Sequence, residues 1–158
     1  MSDSTLDTVK HIRYVQYLMN LVIGELLTRA RKHDETKLES PEKEIFDEFT
    51  PKLSDSTFGS DEYKQFLKEM KVALDHHYAM NKHHPECHRK GIEGMDLIDL
   101  LEMAVDWKAA TMRHANGNID KSLEINIKRF GLSPQLVQIL KNTFFFFSTY
   151  GKKYRKPF

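Results

Sequence analysis

The sequence predicts an all-α fold, a single helical domain that covers residues 1–158. Only seven glycines and five prolines interrupt the 158 residues. No segment alternates apolar and polar residues over the length that a half-buried strand would need. Apolar residues recur instead at spacings of three and four, which is the period of a helix with one buried face. Because no repeat or linker divides the chain, we expect one helical bundle.

The first half of the chain is predicted to hold two helices and a loop. Residues 6–30 form a long apolar-periodic segment. Ser40 as N-cap, Pro41 at the first helical position and Glu42 in the first turn predict the start of the next helix. Residues 50–60 are predicted to be loop. The apolar face of the first helix consists of Leu6, Val9, Ile12, Met19, Ile23 and Leu26.

The second half is predicted to hold four helices. Ser60 caps a helix that runs to about residue 80, and the irregular stretch "HHPECHRKGIEG" follows it. The next helix covers 95–115 and is ended by "NGN". Two more are predicted over 119–130 and 134–149, and the last one opens with "SPQ".

Composition excludes several classes of protein. The formal net charge of +1 gives no basic field for nucleic acid, and "KKYRK" near the C-terminus is interpreted as a solvated tail. One cysteine, Cys87, permits no internal disulfide and suits a reducing compartment. The N-terminus lacks the apolar run of a signal peptide, and "FFFF" is far too short to span a membrane. We expect a cytoplasmic protein without a membrane partner, and a homo-oligomer is compatible with this composition.

Histidine is the outlier in the composition. Four of the eight histidines lie in "HHYAMNKHH", residues 76–84. His77 continues the apolar face of the predicted 60–80 helix, so it points inward, whereas His76 lies about 100° around the helix. An inward histidine can be a core residue that a backbone carbonyl satisfies, but three further histidines within eight residues favour a binding site.

The helix predicted over 95–115 carries a narrow polar stripe. Asp99, Glu102, Asp106 and Arg113 fall within roughly 60° of one another at about 100° per residue. The stripe can be a solvated face, since acidic stripes are common. The small alanines beside it would alternatively leave room for an ion or a substrate.

Histidine nitrogens and carboxylate oxygens together bind borderline and hard divalent metals. A mixed His/Asp set on several helices is typical of an open catalytic site rather than a structural zinc site. The expected cofactor is one or two ions of Mn, Fe, Co, Ni or Zn, with Mg as a further candidate. The side chains that offer ligand atoms are His11, His33, Asp34, His76, His77, His83, His84 and Asp106.

Three patches in the chain resemble the HD-domain superfamily of metal-dependent phosphohydrolases. "HDETK", residues 33–37, resembles its "HD…K" signature, and "LLEMAVDWKAATMRH" resembles its later aspartate-bearing helix. "HHYAMNKHHPE" lies between them, where the binuclear members place extra histidines. With the upstream His11, the order is His…His-Asp…His…Asp over about residues 11–114.

The resemblance implies a metal-binding role for each matching position. His33, Asp34 and Asp106 would be ligands, with Asp34 able to bridge two ions. His11 would be the remaining ligand of the first ion. As one straight helix, however, the 22 positions between His11 and His33 would span about 33 Å, so the assignment needs a reversal near Asn20–Gly24.

The second ion would take one histidine from positions 76 and 77 and one from 83 and 84. His77 is favoured because its face points inward, and His83 is the second choice. Lys37 and Arg113 would neutralise a phosphate, and they form the catalytic set together with Asp34.

The chain also departs from the superfamily and resembles a narrower group. Glu-Thr stands between Asp34 and Lys37, where the superfamily usually has small or apolar residues. The Gly-rich "GYP"-type stretch is absent from the sequence, so the resemblance does not imply hydrolysis of a cyclic dinucleotide. Nearly the whole chain resembles a bacterial and phage family of the DUF5662 type, through the pattern "HD-x-[ST]-K…HHPE". That family brings no established activity.

The leading functional hypothesis is hydrolysis of a phosphoester, with a nucleotide as the expected small-molecule substrate class. A second hypothesis keeps the fold and makes it an HD-type di-iron oxygenase, because that group has a similar ligand set. In a third, non-enzymatic hypothesis the histidines serve structure, and "NTFFFF" is either a partner surface or the aromatic part of the core.

Overall fold

The computed structural model describes residues 3–56, 60–113 and 117–151. Within these ranges the chain is all-α, without any strand, and the predicted fold class is confirmed. The predicted basic tail "KKYRK", part of "NGN" and part of the 50–60 loop lie outside them. The α-helices are α1 Thr5–Lys32, α2 Glu42–Asp55, α3 Asp61–Glu69, α4 Lys71–Met80, α5 Leu97–Met112, α6 Ile119–Phe130 and α7 Pro134–Tyr150. Short 3₁₀ helices cover Glu35–Leu38, Pro85–Cys87 and Gly91–Gly94.

The main apolar core lies where α5, α6 and α7 pack together. Trp107 of α5 stacks on Phe130 at the end of α6, with ring centroids 6.0 Å apart. Smaller apolar contacts join α2, α3 and α4, where Phe49 meets Phe66 edge to face. The buried members of the main core are Met103, Ala104, Trp107, Leu123, Leu132, Leu140 and Phe144.

Side-chain caps fix several helix starts that the sequence predicts. The hydroxyl of Ser60 accepts the backbone N–H of Tyr63, and the hydroxyl of Ser133 accepts that of Leu136. Asp96 and Asp99 form a reciprocal capping box at the start of α5. Each cap satisfies N–H groups that have no partner within the helix, which makes these starts predictable from sequence.

Two predicted boundaries are wrong. Helix α2 begins at Glu42, so Pro41 rather than Ser40 precedes its first turn, and it continues through Pro51 into the predicted loop. A proline removes only one backbone hydrogen bond, and the buried Phe49 anchors the helix at this point.

The predicted 60–80 helix is in fact two helices. α3 and α4 meet at Met70, whose ψ of 0° interrupts the regular helix. Met70 is fully buried, and both helices pack against α2. No glycine or proline marks this bend, because tertiary packing imposes it.

The aromatic run in α7 is divided between core and surface. Phe144 is buried, whereas Phe145 and Phe146 are 72% and 54% exposed. Four successive helical residues turn through about 300°, so they cannot all face the core. Phe144 and Phe147 therefore contribute to the core, as one interpretation of "NTFFFF" expects, while the other two rings stay on the surface. No described helix combines the length and the apolar character needed to cross a bilayer.

The position of Met103 generates a stability prediction. Met103 is completely buried in the main core, while Met112 on the same helix is 54% exposed. Met103→Ala should lower the free energy of unfolding by about 2–5 kcal/mol, because it removes buried apolar atoms and leaves a cavity. Met112→Ala is the matched control and should change it by less than about 0.5 kcal/mol. Urea unfolding followed by circular dichroism measures both, and equal losses would contradict the assigned core.

Candidate metal centre

The candidate centre lies where three parts of the chain meet. The first is the end of α1 with the turn that follows it, the second is α4 with the loop after it, and the third is the middle of α5. The turn depends on Asp34, whose φ of 57° and ψ of 17° are left-handed. Aspartate tolerates this conformation better than most residues, and the turn ends α1 sharply. His33 and Asp34 are thereby directed toward the other two segments.

One group of possible ligands consists of His33, Asp34 and Asp106. The relevant atoms all lie within 4.8 Å of one another. Nε2 of His33 is 3.6 Å from Oδ1 of Asp106 and 3.7 Å from Oδ2 of Asp34. One imidazole and two carboxylates around a common point form a partial coordination sphere for a divalent cation.

A second group consists of Asp34, His77, His83 and His84, again within 4.8 Å. Oδ1 of Asp34 lies 3.3 Å from Nε2 of His77 and 3.4 Å from Nε2 of His83. Nε2 of His84 is 2.9 Å from Nε2 of His77. Asp34 thus belongs to both groups, with Oδ1 facing His77 and His83 and Oδ2 facing His33.

Two buried atoms in the second group make no hydrogen bond within the described part of the chain. They are Oδ1 of Asp34 and Nε2 of His83. Buried polar atoms in native proteins are nearly always satisfied, since an unsatisfied one costs about 1–3 kcal/mol. A cation between the carboxylate oxygen and the ring nitrogens would satisfy them together, so these residues fit a metal ion.

The buried carboxylate of Glu42 orients His77 of the second group, because it binds the ring nitrogen that faces away from Asp34. Its Oε2 accepts the Nδ1–H of His77 at 2.9 Å, and its Oε1 accepts that of His76 at 2.7 Å. Thr36 also donates its hydroxyl to Glu42, and Asn81 donates to Thr36. With Nδ1 of His77 protonated, its Nε2 directs a lone pair toward Asp34, as in the carboxylate–histidine–metal arrangement.

The carboxylate of Glu102 faces the Nδ1 atoms of His33 and His83, and it orients these two rings. Its Oε1 lies 2.9 Å from Nδ1 of His33 and 3.3 Å from Nδ1 of His83. Nη1 of Arg29 donates to Oε2 of Glu102 at 3.1 Å and to Oδ1 of the buried Asp99 at 2.6 Å. Glu102, His33 and His83 are close enough to form a third metal-binding group. We assign Glu102 to orientation instead, because it faces the Nδ1 atoms, and the Nε2 atoms face Asp34.

The surroundings of the first group favour the protonated form of His33 and the ionised form of Asp34. The hydrogen bond with Asp106 raises the pKa of His33 to about 9 against the opposing effect of burial, with further contributions from Glu102 and Asp34. Burial opposes ionisation of Asp34, but the His83 ring and the Lys37 ammonium outweigh it and hold the pKa of Asp34 well below its usual range. A proton on His33 therefore occupies the position that a cation would take.

Two histidines of the second group, His77 and His84, are kept neutral. Burial lowers the pKa of His77, and Lys37 lowers it further. Burial lowers the pKa of His84 to about 3, assisted by the neighbouring His83 and His77. A neutral imidazole is the form that binds a metal, so these two rings need no deprotonation near neutral pH.

The structure brings together most of the site residues predicted from the sequence. His33, Asp34, His77, His83 and Asp106 lie in the two groups described above. Lys37 lies beside them, with its ammonium 2.6 Å from Oδ2 of Asp34 and its side chain about one-third exposed.

His11 is not brought into the centre, and its predicted place there requires correction. Helix α1 runs without a break from Thr5 to Lys32, so the reversal expected near Asn20–Gly24 does not occur. His11 is exposed and lies about 33 Å from His33 along the helix axis. The two residues of one chain cannot share an ion.

Arg113 is also outside the cluster. It is exposed at the C-cap of α5, on the same side of the helix as Asp106 but about 10 Å further along the axis. Its predicted contact with a phosphate stays a prediction, and it requires a substrate that extends along α5.

Three residues of the centre were not assigned these roles from the sequence. His84 was left as an alternative to His83, yet both rings belong to the second group. Glu42 was interpreted only as an acid favourable to a helix start, and nothing in its local sequence indicates that it is buried against His76 and His77. Glu102 was recognised on the acidic stripe, but its partners come from distant segments.

The profile of a family of unknown function, DUF5662, matches residues 1–145. Neither a curated protein nor a solved structure matches.

The histidine pKa values predict the pH dependence of the metal-free protein. The pKa of His33 is raised from 6.5 to about 9, so its stabilising contribution is complete below pH 6.5 and is lost as pH rises through about 9. The pKa of His84 is lowered to about 3, so stability falls as the pH drops below 6.5. The Tm of chelator-treated protein should therefore be highest near pH 6.5, and His33→Asn should flatten the alkaline side. A Tm that rises steadily through pH 9 would contradict this assignment.

The buried Glu42 generates a second prediction. Glu42→Gln keeps the shape but removes the charge that orients His77, so the metal affinity should fall about 10–100-fold. Glu44→Gln, an exposed change in the first turn of the same helix, is the matched control and should leave the affinity unchanged. Competition with a chromophoric chelator measures both affinities. Equal affinities in the two variants would mean that Glu42 serves the fold alone.

Proposed function

The chain belongs to the DUF5662 family, and we propose that it is a metal-dependent phosphohydrolase of the HD-domain type. The observation that carries the proposal is the convergence on Asp34 of imidazole nitrogens, with two buried atoms that no hydrogen bond from the described residues satisfies. The order of the assembled ligands along the chain also supports it. His33-Asp34 comes first, the histidine cluster second and Asp106 last, as in the resembling superfamily.

The donor set indicates the class of cofactor. Four imidazoles and two carboxylates suit Mn, Fe, Co, Ni or Zn, while Mg, which prefers oxygen ligands, suits them less. Two groups that share Asp34 are consistent with two ions. When bound, divalent ions there would lower the pKa of a water molecule toward about 7 and polarise a phosphate oxygen.

Lys37 is the cation best placed to bind a substrate phosphate. Its ammonium lies at the rim beside Asp34, and its side chain is partly exposed, so it can contact both the centre and a bound ligand. Its charge would offset the negative charge that builds on phosphate oxygens during hydrolysis. Glu42 and Glu102 would hold the rings of His77 and His33 in place during the reaction, because each accepts a hydrogen bond from Nδ1 of the ring beside it.

A nucleotide is the substrate class that the HD resemblance favours. Arg113 lies about 10 Å beyond Asp106 along α5, a separation that a nucleotide with more than one phosphate can span. Arg113 would then contribute to binding rather than to the chemical step.

An HD-type di-iron oxygenase is the second candidate, because the same His/Asp donor set is suited to iron. Lys37 favours the hydrolase, since an ammonium at the rim complements a phosphate dianion. Metal preference separates the two functions. Full activity on a phosphoester with Mn or Co under anaerobic conditions would support the hydrolase. If the iron form consumes oxygen and does not cleave a phosphoester, the oxygenase becomes the better assignment and the hydrolase is wrong.

The first experiment measures metal content and activity together. We expect the protein purified without chelators to contain one or two equivalents of a transition metal, and Asp34→Ala to lose it. The metal-loaded protein should hydrolyse at least one member of a panel of aryl phosphates, phosphodiesters and nucleotides. A folded protein that binds no metal after reloading would favour the non-enzymatic hypothesis.

The role of Lys37 is tested by a matched pair of variants. Lys37→Ala should lower kcat/KM about 100-fold while leaving the metal content unchanged, because it removes one cation that stabilises the transition state. Lys43→Ala is the control, since Lys43 is an exposed lysine of α2 paired only with Asp47 among the contacts described. Loss of bound metal in Lys37→Ala would indicate that the lysine maintains the site rather than contacting the substrate.

A further inference from the structure

Most of α1 stands free of the rest of the described chain. Every residue from 5 to 25 is exposed, and only Leu26, Thr28 and Arg29 of this helix are partly buried. The free part is about 30 Å long at 1.5 Å per residue. Its exposed large apolar side chains are Leu6, Val9, Ile12, Tyr14, Val15, Tyr17, Leu18, Met19, Leu21, Val22 and Ile23. A surface of this extent indicates an interaction site.

One stripe of α1 has the spacing of a helix-pairing seam. Ile12, Val15, Met19, Val22 and Leu26 follow one another at steps of three, four, three and four. This is the a/d pattern of a coiled coil, in which each side chain inserts between residues of a facing helix. The stripe continues at its C-terminal end into Arg29 and His33, which contact α5. The N-terminal part of the same stripe has no such neighbour among the described residues.

We propose that α1 pairs antiparallel with α1 of a second copy of this chain. In that arrangement Ile12 packs against the partner's Val22, and Val15 packs against the partner's Met19. The two-fold axis repeats both layers, so four apolar layers are formed by one self-complementary stripe. The folded bodies then lie at opposite ends of the pair, and the free lengths of the two helices overlap.

The flanking residues favour the antiparallel orientation. His11 lies opposite the partner's Glu25, where the imidazole can donate a hydrogen bond to the carboxylate, and Leu18 lies opposite the partner's Leu18. In a parallel pair, His11 would instead face the partner's Gln16, and Glu25 would face Ala30. Positions that flank a coiled-coil seam set partner choice and orientation.

A membrane surface fits α1 less well than a second copy does. An interfacial helix needs a polar face opposite its apolar face. Tyr14, Tyr17 and Leu21 lie on the side of α1 opposite the seam, so the middle of the helix is apolar on both sides. The tyrosine hydroxyls can remain in water on the outer side of a dimer.

Sedimentation and light scattering test the oligomeric state. The wild-type protein should be a dimer at micromolar concentration, and the double variant Val15→Glu/Met19→Glu should be a monomer with unchanged helical circular dichroism. Tyr17→Glu, an equally exposed change on the opposite side of α1, is the matched control and should remain a dimer. A wild-type monomer at high micromolar concentration, or dissociation by the control alone, would overturn the proposal.

Cysteine cross-linking tests the orientation in a Cys87→Ser background. Leu18→Cys should form an interchain disulfide, because the two copies of residue 18 face each other near the two-fold axis. Ile12→Cys should not, since its counterpart would lie about 15 Å away along the pair, beyond the reach of a disulfide. The reverse result would establish a parallel pair. If the protein is a monomer and co-sediments with vesicles of phosphatidylglycerol and phosphatidylcholine, the apolar surface of α1 binds a membrane and the proposed dimer is wrong.

Discussion

The rest of the centre depends on the contacts of the Asp34 carboxylate. Its left-handed backbone ends α1, and its side chain lies between Lys37 on one oxygen and His77 and His83 on the other. A left-handed conformation costs about 1–2 kcal/mol for most residues. The fold accepts this local strain because no helical continuation of α1 would direct both His33 and Asp34 toward α4 and α5.

Around Asp34, the protein balances negative charge with a small number of cations. Glu42, Glu102 and Asp106 add three further acids, while Arg29 binds Glu102 and a raised pKa keeps His33 protonated. A divalent ion would replace that proton and attract the carboxylates more strongly. Metal binding would therefore add to the free energy of folding, because the unfolded chain cannot assemble these ligands.

The sequence predicts those parts of the site that local periodicity determines. His77 is inward because it continues an apolar helical face, and Asp106 lies at the centre because it belongs to a narrow stripe on α5. Glu42 could not be placed in the same way, since its burial depends on how α2 packs on α4. The bend at Met70 has the same origin. His11 was misplaced because a pattern borrowed from a family required a turn that the helix-favouring residues of α1 do not make.

The segment that contains His11 is better explained by its own residue pattern than by the ligand pattern. Its apolar side chains follow the proposed seam, and His11 lies at the edge of that seam, where its imidazole can donate a hydrogen bond to the partner's Glu25. The last turn of the same helix carries Arg29, and His33 follows it directly; they contact Glu102 and Asp106. A rigid helix thus joins the proposed dimer contact to the metal centre.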